Sequence, residues 1–309
     1  MRELYGGVDV GGTKIMTGLI DGEGKVLSYD VFPTEAGADG VRESVKRIAR
    51  QLAEQCAAAG TDISALRGIG LGSAGPVDPA LGTIENPYTL PGWEHYPIVA
   101  ELSRLTGCPC RLDNDANGML MGEVMRRNLW NRNVLMITFG TGIGTAVFRK
   151  GGLYRANGRY HPEMGHVIVA DDGPECYCGH RGCFESLCSG TAMNRMAAEN
   201  GYDGFAELYT AWKTGADAKA EKLMRKARRR IANGIYDLMI VFKPDELVIG
   251  GGFGRAYFDL IREIAENDLK DLTDFVVPFE ISCADDNGTS AVIGAAGILK
   301  IYLREEEKC

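Results

Sequence analysis

The first β-prone run of the chain is Gly6-Gly7-Val8-Asp9-Val10, and a glycine-rich corner, Gly11-Gly12-Thr13-Lys14, follows it directly. Residues 15–20 and 25–31 are also β-prone, and the turn-forming residues 21–24 separate them. The corner joins a strand to a strand, whereas the Rossmann and P-loop fingerprints join a strand to a helix. The sequence therefore predicts an antiparallel meander with a glycine-rich first turn, at which the backbone lies unusually close to another group.

The same arrangement recurs in the middle of the chain. The β-prone residues 134–139 lead into Gly140-Thr141-Gly142-Ile143-Gly144, and residues 145–149 form a returning strand. A third glycine cluster, Gly250-Gly251-Gly252-Phe253-Gly254, lies between a β-prone run and a helical stretch that begins near Arg255. The repeated strand, turn and strand predict two related lobes that each present a backbone loop to a shared cleft. Two unrelated hairpins are the alternative.

Three helical patterns accompany these strands. Val41, Val45, Ile48 and Leu52 recur at helical spacing after the meander, which predicts one buried helix face. Residues 290–303 carry a broad apolar band that predicts a buried helix with a charged, solvated end. The basic run at residues 225–230 lies on a further predicted helix, and a solvated helix face is favoured there over a nucleic-acid patch.

Composition limits the possible classes of function. The 309 residues carry a net charge of -8, which argues against a nucleic-acid partner because phosphate backbones are bound by basic surfaces. The sequence has no apolar run long enough for a membrane span and no signal-peptide core, so we expect a cytoplasmic protein without a membrane partner. The nine cysteines are then expected to be reduced thiols or metal-bound thiolates.

The most specific local pattern is a cluster of cysteine and histidine. Cys176, Cys178 and Cys183 lie close together in the sequence, and His166 precedes them. Three thiolates and one imidazole form a closed tetrahedral set for zinc, and a site with no position left for water is structural. Cys188 or His180 in place of His166 is a rival set, and unliganded core cysteines are the remaining alternative.

The glycine corners suit a polyphosphate ligand. Successive backbone N–H groups can point at one anion where glycine removes the Cβ atoms that would keep a phosphate away. Asp9 adds a carboxylate for Mg²⁺, directly or through water, and Thr13 and Lys14 add hydrogen-bond donors. At each corner the alternative is a tight hairpin that needs glycine for its dihedral angles.

A carboxylate that accepts a proton is the other requirement for moving a phosphoryl group onto a hydroxyl. Residues 112–117, Leu-Asp-Asn-Asp-Ala-Asn, follow a β-prone run and begin a predicted helix, and sites in α/β sheets gather at such strand ends. The alternative is that Asp113 or Asp115 serves only as a helix N-cap.

Together these segments resemble the ROK family of sugar kinases, which includes bacterial glucokinases, fructokinases and N-acetylhexosamine kinases. The resemblance runs from Asp9 to the final helix. It rests on five segments, residues 9–14, 112–117, 139–144, 162–166 and 176–185. It implies an α/β chain with the actin-like, hexokinase-type fold of two ribonuclease-H-like lobes around a central cleft. We expect residues 1–117 and 290–309 to form the N-terminal lobe and residues 118–289 the C-terminal lobe.

The resemblance also implies roles for individual residues. Asp115 resembles the catalytic base, which takes a proton from the acceptor hydroxyl, usually on sugar carbon 6. His166 resembles a zinc ligand, with Cys176, Cys178 and Cys183, whose second ring nitrogen donates to the sugar. The implied sugar-binding residues are Asn86, Asn114, Asp115, Glu163, His166 and Glu185, with Gly72 and Ser73 beside Asn86. The implied nucleotide-binding residues are Asp9, Gly11, Gly12, Thr13, Lys14, Thr141, Gly142, Gly251 and Gly252.

The implied activity is that of a homodimeric hexose kinase that uses ATP with Mg²⁺ and carries structural Zn²⁺. We rank glucose first, N-acetylmannosamine or N-acetylglucosamine second and fructose third. Residues 161–166 resemble the corresponding segment of fructokinases. The loop at residues 176–183 and Glu185 resemble those of glucokinases and N-acetylhexosamine kinases. Family members that repress transcription carry a DNA-binding segment before the first strand. Only eight residues precede Asp9 in this sequence, so we do not expect a repressor. A sugar-sensing protein without catalysis is the other non-enzyme alternative.

Overall fold

The computed structural model describes residues 3–157, 161–269, 277–285 and 288–306, and the chain divides into two compact units. Unit 1 comprises Met1–Asn131, Phe148–His161 and Asp285–Cys309, and unit 2 comprises Arg132–Val147 and Pro162–Ala284. No helix in the described ranges is both long enough and apolar enough to cross a membrane.

Strands and helices alternate along the described chain. The strands are β1 (Leu4–Val10), β2 (Lys14–Asp21), β3 (Val26–Pro33), β4 (Leu66–Ser73), β5 (Val77–Asp78), β6 (Thr83–Ile84), β7 (Cys110–Asn114), β8 (Val134–Phe139), β9 (Ile143–Arg149), β10 (Gly152–Leu153), β11 (Glu246–Gly250) and β12 (Glu280–Cys283). The helices are α1 (Gly37–Ala58), α2 (Ile98–Thr106), α3 (Asp115–Arg126), α4 (Phe184–Cys188), α5 (Gly190–Glu199), α6 (Gly204–Thr214), α7 (Ala218–Phe242), α8 (Gly252–Ala256), α9 (Phe258–Glu263) and α10 (Ser290–Glu306). Short 3₁₀ turns cover Ile63–Ala65 and Met164–His166, and a π-helical turn covers Ile264–Asp268.

The main sheet of unit 1 has the strand order β3-β2-β1-β4-β7. Strands β1, β2 and β3 form the predicted antiparallel meander, and β4 and β7 run parallel to β1. Val10 pairs with Ser73, and Ser73 pairs with Asn114, so the carboxyl ends of β1, β4 and β7 lie side by side. Sites in α/β sheets gather at that edge.

The second five-stranded sheet repeats this plan with the order β10-β9-β8-β11-β12. Again the first three strands along the chain are antiparallel neighbours, and two later strands run parallel to the first of them. The prediction of two related lobes is confirmed at the level of topology, because two unrelated hairpins would not share a five-strand order.

Two helices cover the sheet of unit 1. Helix α1 buries Val41, Val45, Ile48 and Leu52, as predicted from their spacing. Helix α10 lies so close to β1 and β4 that a Cβ at Gly7 or Gly70 would collide with its backbone carbonyls. The apolar band of α10 is buried as predicted, and the last residues of the charged tail, 307–309, lie outside the described residues.

The unit boundaries differ from the predicted domain division. The predicted boundary after residue 117 falls inside α3, which is one continuous helix packed against α10 and therefore stays whole in unit 1. Residues 148–161 also belong to unit 1. Their ion pair between Arg155 and the buried Asp113 ties them to the end of β7.

The basic run on α7 is less solvated than the sequence predicted. Arg225, Lys226 and Arg229 are exposed, whereas Arg228 and Arg230 are largely buried. Arg228 pairs with Glu263 and Asp268, and Arg230 pairs with Asp172 at 2.8 Å. Lys226 also pairs with Asp172, at 2.7 Å, so three of the basic side chains join α7 to neighbouring elements of unit 2. The helix after the third glycine cluster begins at Gly252 and not near Arg255.

Candidate active site

Asp9 lies near the carboxyl end of β1, and β4 separates it from the end of β7. A Cβ at Gly72, its partner on β4, would lie 3.9 Å from the Asp9 carboxylate. Burial and the nearby Asp115 carboxylate raise the pKa of Asp9 to about 7, although Lys14 opposes the shift. Two carboxylates so arranged repel each other and favour a bound cation between them.

The first glycine corner is held at its base and open at its tip. The Gly11 N–H donates to the Lys14 carbonyl at 3.0 Å, and the Thr34 hydroxyl donates to the Gly11 carbonyl at 2.6 Å. A Cβ at Gly12 would lie 2.5 Å from the Thr89 carbonyl oxygen, so glycine is required for this packing. Gly12, Thr13 and Lys14 are exposed, which leaves their polar groups accessible to a phosphate.

Asn86 organises the neighbouring loop. Its side-chain oxygen accepts from the Tyr88 and Thr89 N–H groups at 2.9 and 3.1 Å, and its amide donates to the Thr89 hydroxyl at 2.7 Å. The same amide lies 3.4 Å from the carbonyl of Ala74, so Asn86 is beside the residues that follow β4, as expected. These contacts fix the loop that packs on Gly12. A direct contact between Asn86 and sugar stays a prediction.

The three polar residues at the end of β7 have different roles. Asp113 is 0% exposed, pairs with Arg155 and accepts from the Asn117 amide at 2.9 Å. Asn114 is the N-cap of α3 and accepts from the Ala116 N–H at 2.8 Å. Asp115 is exposed in the first turn of α3, where the helix dipole favours a negative charge. Neither aspartate is the N-cap, and of the two aspartates only Asp115 is exposed.

The second glycine corner is framed by two other glycines of unit 2. The Gly190 N–H donates to the Gly140 carbonyl at 2.8 Å. Gly251 has a left-handed φ of 78°, and a Cβ there would collide with the Phe139 carbonyl. Gly251 therefore lies against Phe139, directly before the second glycine corner, at the carboxyl ends of β8 and β11. Thr141 and Gly252 are exposed.

Glu185 ties this corner to the cysteine loop. Its carboxylate accepts from the Ile143 N–H at 2.8 Å, and a Cβ at Gly142 would collide with the same oxygen. Glu185 is the second residue of α4, two positions after Cys183. One hydrogen bond thus joins the predicted phosphate loop to a predicted sugar ligand. Glycine is required at position 142 because a side chain there would collide with the Glu185 carboxylate.

The ligand atoms of His166, Cys176, Cys178 and Cys183 all lie within 4.8 Å of one another. The Cys176 sulfur is 3.5 Å from His166 Nδ1, and the Cys178 and Cys183 sulfurs are 3.6 Å apart. Bond lengths of about 2.3 Å to sulfur and about 2.0 Å to nitrogen, at tetrahedral angles, place such atoms roughly 3.5–3.8 Å apart. These four side chains could therefore hold one metal ion. The rival ligands Cys188 and His180 are not part of the cluster among the described residues.

The other ring nitrogen of His166 faces a residue that the sequence analysis did not single out. His166 Nε2 is 3.0 Å from the Tyr177 hydroxyl. Burial raises the pKa of Glu163. His166 lowers this pKa in part and the Glu185 carboxylate raises it further, so the three side chains are close enough to affect one another. Tyr177 lies between two predicted ligands in the sequence, but its spacing does not reveal that its hydroxyl reaches His166.

The fold and the two glycine corners define the class of protein: the chain has the actin-like ATPase fold. Within that class it belongs to the ROK family, whose family model matches residues 5–301.

Individual relatives are similar over most of their length. The glucokinase of Thermotoga maritima is 30% identical over 95% of this chain and 96% of its own. An N-acetylmannosamine kinase of Vibrio cholerae is 28% identical over 83% of this chain and 85% of its own. The crystal structure of a ROK family glucokinase from Streptomyces griseus in complex with glucose and AMPPNP has a TM-score of 0.70 and 29% identity, covering 95% of this chain and 98% of that chain.

Proposed function

We propose that this chain is an ATP-dependent hexose kinase that transfers the γ-phosphate of ATP to the 6-hydroxyl of glucose. The observation that carries the proposal is the exposed Asp115 carboxylate, which stands near Asp9 in the same unit as the open glycine corner. Relatives named glucokinase, and the glucokinase complex with glucose and the ATP analogue AMPPNP, support this substrate pair.

In this proposal Asp115 accepts the proton of the attacking hydroxyl, and Asn114 binds the sugar next to it. The position of Asp115 suits this role because α3 and the Asn114 cap fix the backbone of the first turn. The buried Asp113 is excluded as the base, since Arg155 and Asn117 occupy its carboxylate. Asp113 instead holds the end of β7 in place.

The nucleotide is assigned to the glycine corners. Residues 11–14 and residues 141–142 would bind the phosphates through their backbone N–H groups, and Gly251 and Gly252 would approach the adenosine. The Asp9 carboxylate fits Mg²⁺, because a cation would offset the burial and the repulsion from Asp115 that raise its pKa. Bound with ATP, Mg²⁺ would neutralise charge on the phosphates, and Asp9 would hold it directly or through water.

The cluster of His166, Cys176, Cys178 and Cys183 would hold zinc as a structural ion. It fits because two of the donor separations, 3.5 and 3.6 Å, are those of a tetrahedral set, all four donors lie within 4.8 Å of one another, and four such ligands leave no position for water. A metal at Nδ1 would leave a hydrogen on Nε2 and fix the direction in which His166 donates. Glu163, His166 and Glu185 would then bind sugar hydroxyls away from the reacting end.

Glucose is the favoured sugar, and N-acetylmannosamine is the second candidate because a relative carries that activity in its name. N-acetylglucosamine and then fructose follow. A sugar-sensing protein without catalysis would not need the exposed Asp115. A homodimer stays a prediction.

We expect Mg-ATP and glucose to yield glucose 6-phosphate, whereas 6-deoxyglucose yields no sugar phosphate because the acceptor oxygen is absent. Phosphorus NMR of the products distinguishes a 6-phosphate from a phosphate on another carbon. Phosphorylation of 6-deoxyglucose would show that the 6-hydroxyl is not the acceptor from which Asp115 takes a proton.

A further inference from the structure

Tyr177 is the residue between the first two cysteines of the cluster, and its side chain turns back toward His166. The two rings meet edge to face with centroids 5.0 Å apart, and the hydroxyl is 3.0 Å from Nε2. Yet Tyr177 is 80% exposed. An exposed tyrosine whose hydroxyl enters a polar cluster is held mainly by that contact, so the side chain can rotate away at low cost.

The Tyr177 hydroxyl is surrounded by the groups assigned to the sugar. Partial burial raises the pKa of Tyr177, and the nearby Glu185 and Glu163 carboxylates raise it further. If Nδ1 of His166 binds a metal, Nε2 carries the hydrogen and donates to the Tyr177 oxygen, and the hydroxyl keeps its own hydrogen for a neighbouring acceptor. This donor and acceptor pattern is the one that a sugar hydroxyl offers.

We propose that the Tyr177 hydroxyl is an internal competitor that occupies the place of a sugar hydroxyl on His166 Nε2, and that sugar binds once Tyr177 has turned away. This inference rests on the proposed function, because it takes Glu163, His166 and Glu185 to be sugar ligands. An internal competitor lowers the apparent affinity by the fraction of molecules in the open state. Tyr177 would therefore set how much sugar is needed without acting in the chemical step.

Two other roles for Tyr177 make different predictions. A tyrosine that binds the sugar directly would strengthen binding, so that loss of its hydroxyl would weaken it. A tyrosine that only supports the cysteine loop would affect metal retention and thermal stability, with any change in sugar affinity following from them. The competitor role alone predicts tighter sugar binding in a protein with an intact metal cluster.

The test is Tyr177→Phe, which removes one hydroxyl and keeps the ring. Calorimetric titration of sugar without ATP is expected to give a Kd about 3- to 10-fold lower than that of the unmodified chain, the range that one ordinary hydrogen bond supplies. In the kinase assay KM should fall by a similar factor while kcat stays within about twofold. Tyr29→Phe is the matched control: Tyr29 is 53% exposed on β3, and its loss should leave Kd unchanged.

Zinc content by elemental analysis and Tm are measured on the same preparations. Tighter binding with unchanged zinc and Tm supports the inference, whereas unchanged or weaker binding, or tighter binding with altered zinc or Tm, overturns it. The binding titration needs no catalysis. If a sugar binds but is never phosphorylated, the proposed function fails by itself; if it is phosphorylated and Tyr177→Phe does not tighten binding, only this inference fails.

Discussion

Replacing Asp115 with asparagine is expected to lower kcat about 10²- to 10⁴-fold, the range that a general base supplies. Asparagine has nearly the same shape but cannot accept the proton of the attacking hydroxyl. Sugar binding should change less than about threefold, because the amide keeps the hydrogen-bonding positions. Since Asp115 is exposed, folding should be affected only by the small helix-dipole contribution of less than about 1 kcal/mol.

Single-turnover phosphoryl transfer and a sugar titration on the same variant measure these two effects separately. Asp39→Asn is a suitable control, because Asp39 is also an exposed carboxylate in the first turn of a helix, α1. That variant should keep full activity. If Asp115→Asn turned over at the rate of the unmodified chain, Asp115 could not be the base.

Cys178→Ser is expected to lower both metal content and stability. A serine oxygen is a poor zinc ligand, so the closed set would be broken and the binding free energy that supports folding would be lost. We expect zinc to fall from about one ion per chain to well below half, and Tm to fall by roughly 5–10 °C, which corresponds to a few kcal/mol in a protein of this size. Sugar affinity should fall as well, because His166 would lose its fixed orientation.

Elemental analysis and thermal unfolding, with and without a chelator, provide the measurement. The chelator should lower the Tm of the unmodified chain and have little effect on the variant. Cys283→Ser is the matched control, because Cys283 is exposed on β12 and lies outside the cluster. A metal-free preparation with full activity and full stability would rule out the zinc site.

Features encoded by short spacing could be predicted from the sequence. The glycine corners, the buried face of α1 and the ligand set of the cysteine cluster each depend on residues close together in the chain, and the structure contains all three. The repeat was also visible, because its signature is a strand, a glycine turn and a strand. Local backbone requirements therefore carry over well from sequence to structure.

Features that depend on long-range packing could not be predicted. The packing of α3 on α10, which sets the unit boundary, joins residues far apart in the sequence. The same is true of the ion pair that buries Asp113 and leaves Asp115 exposed. The contact between Tyr177 and His166 depends on how the cysteine loop folds back, which composition does not specify.

The most direct test of the kinase assignment is ADP release from Mg-ATP across a panel of glucose, N-acetylmannosamine, N-acetylglucosamine, mannose and fructose. The account predicts sugar-dependent ADP release that is highest in kcat/KM with glucose and is lost in Asp115→Asn. ADP release that no sugar stimulates, from a zinc-loaded and folded preparation, would contradict it.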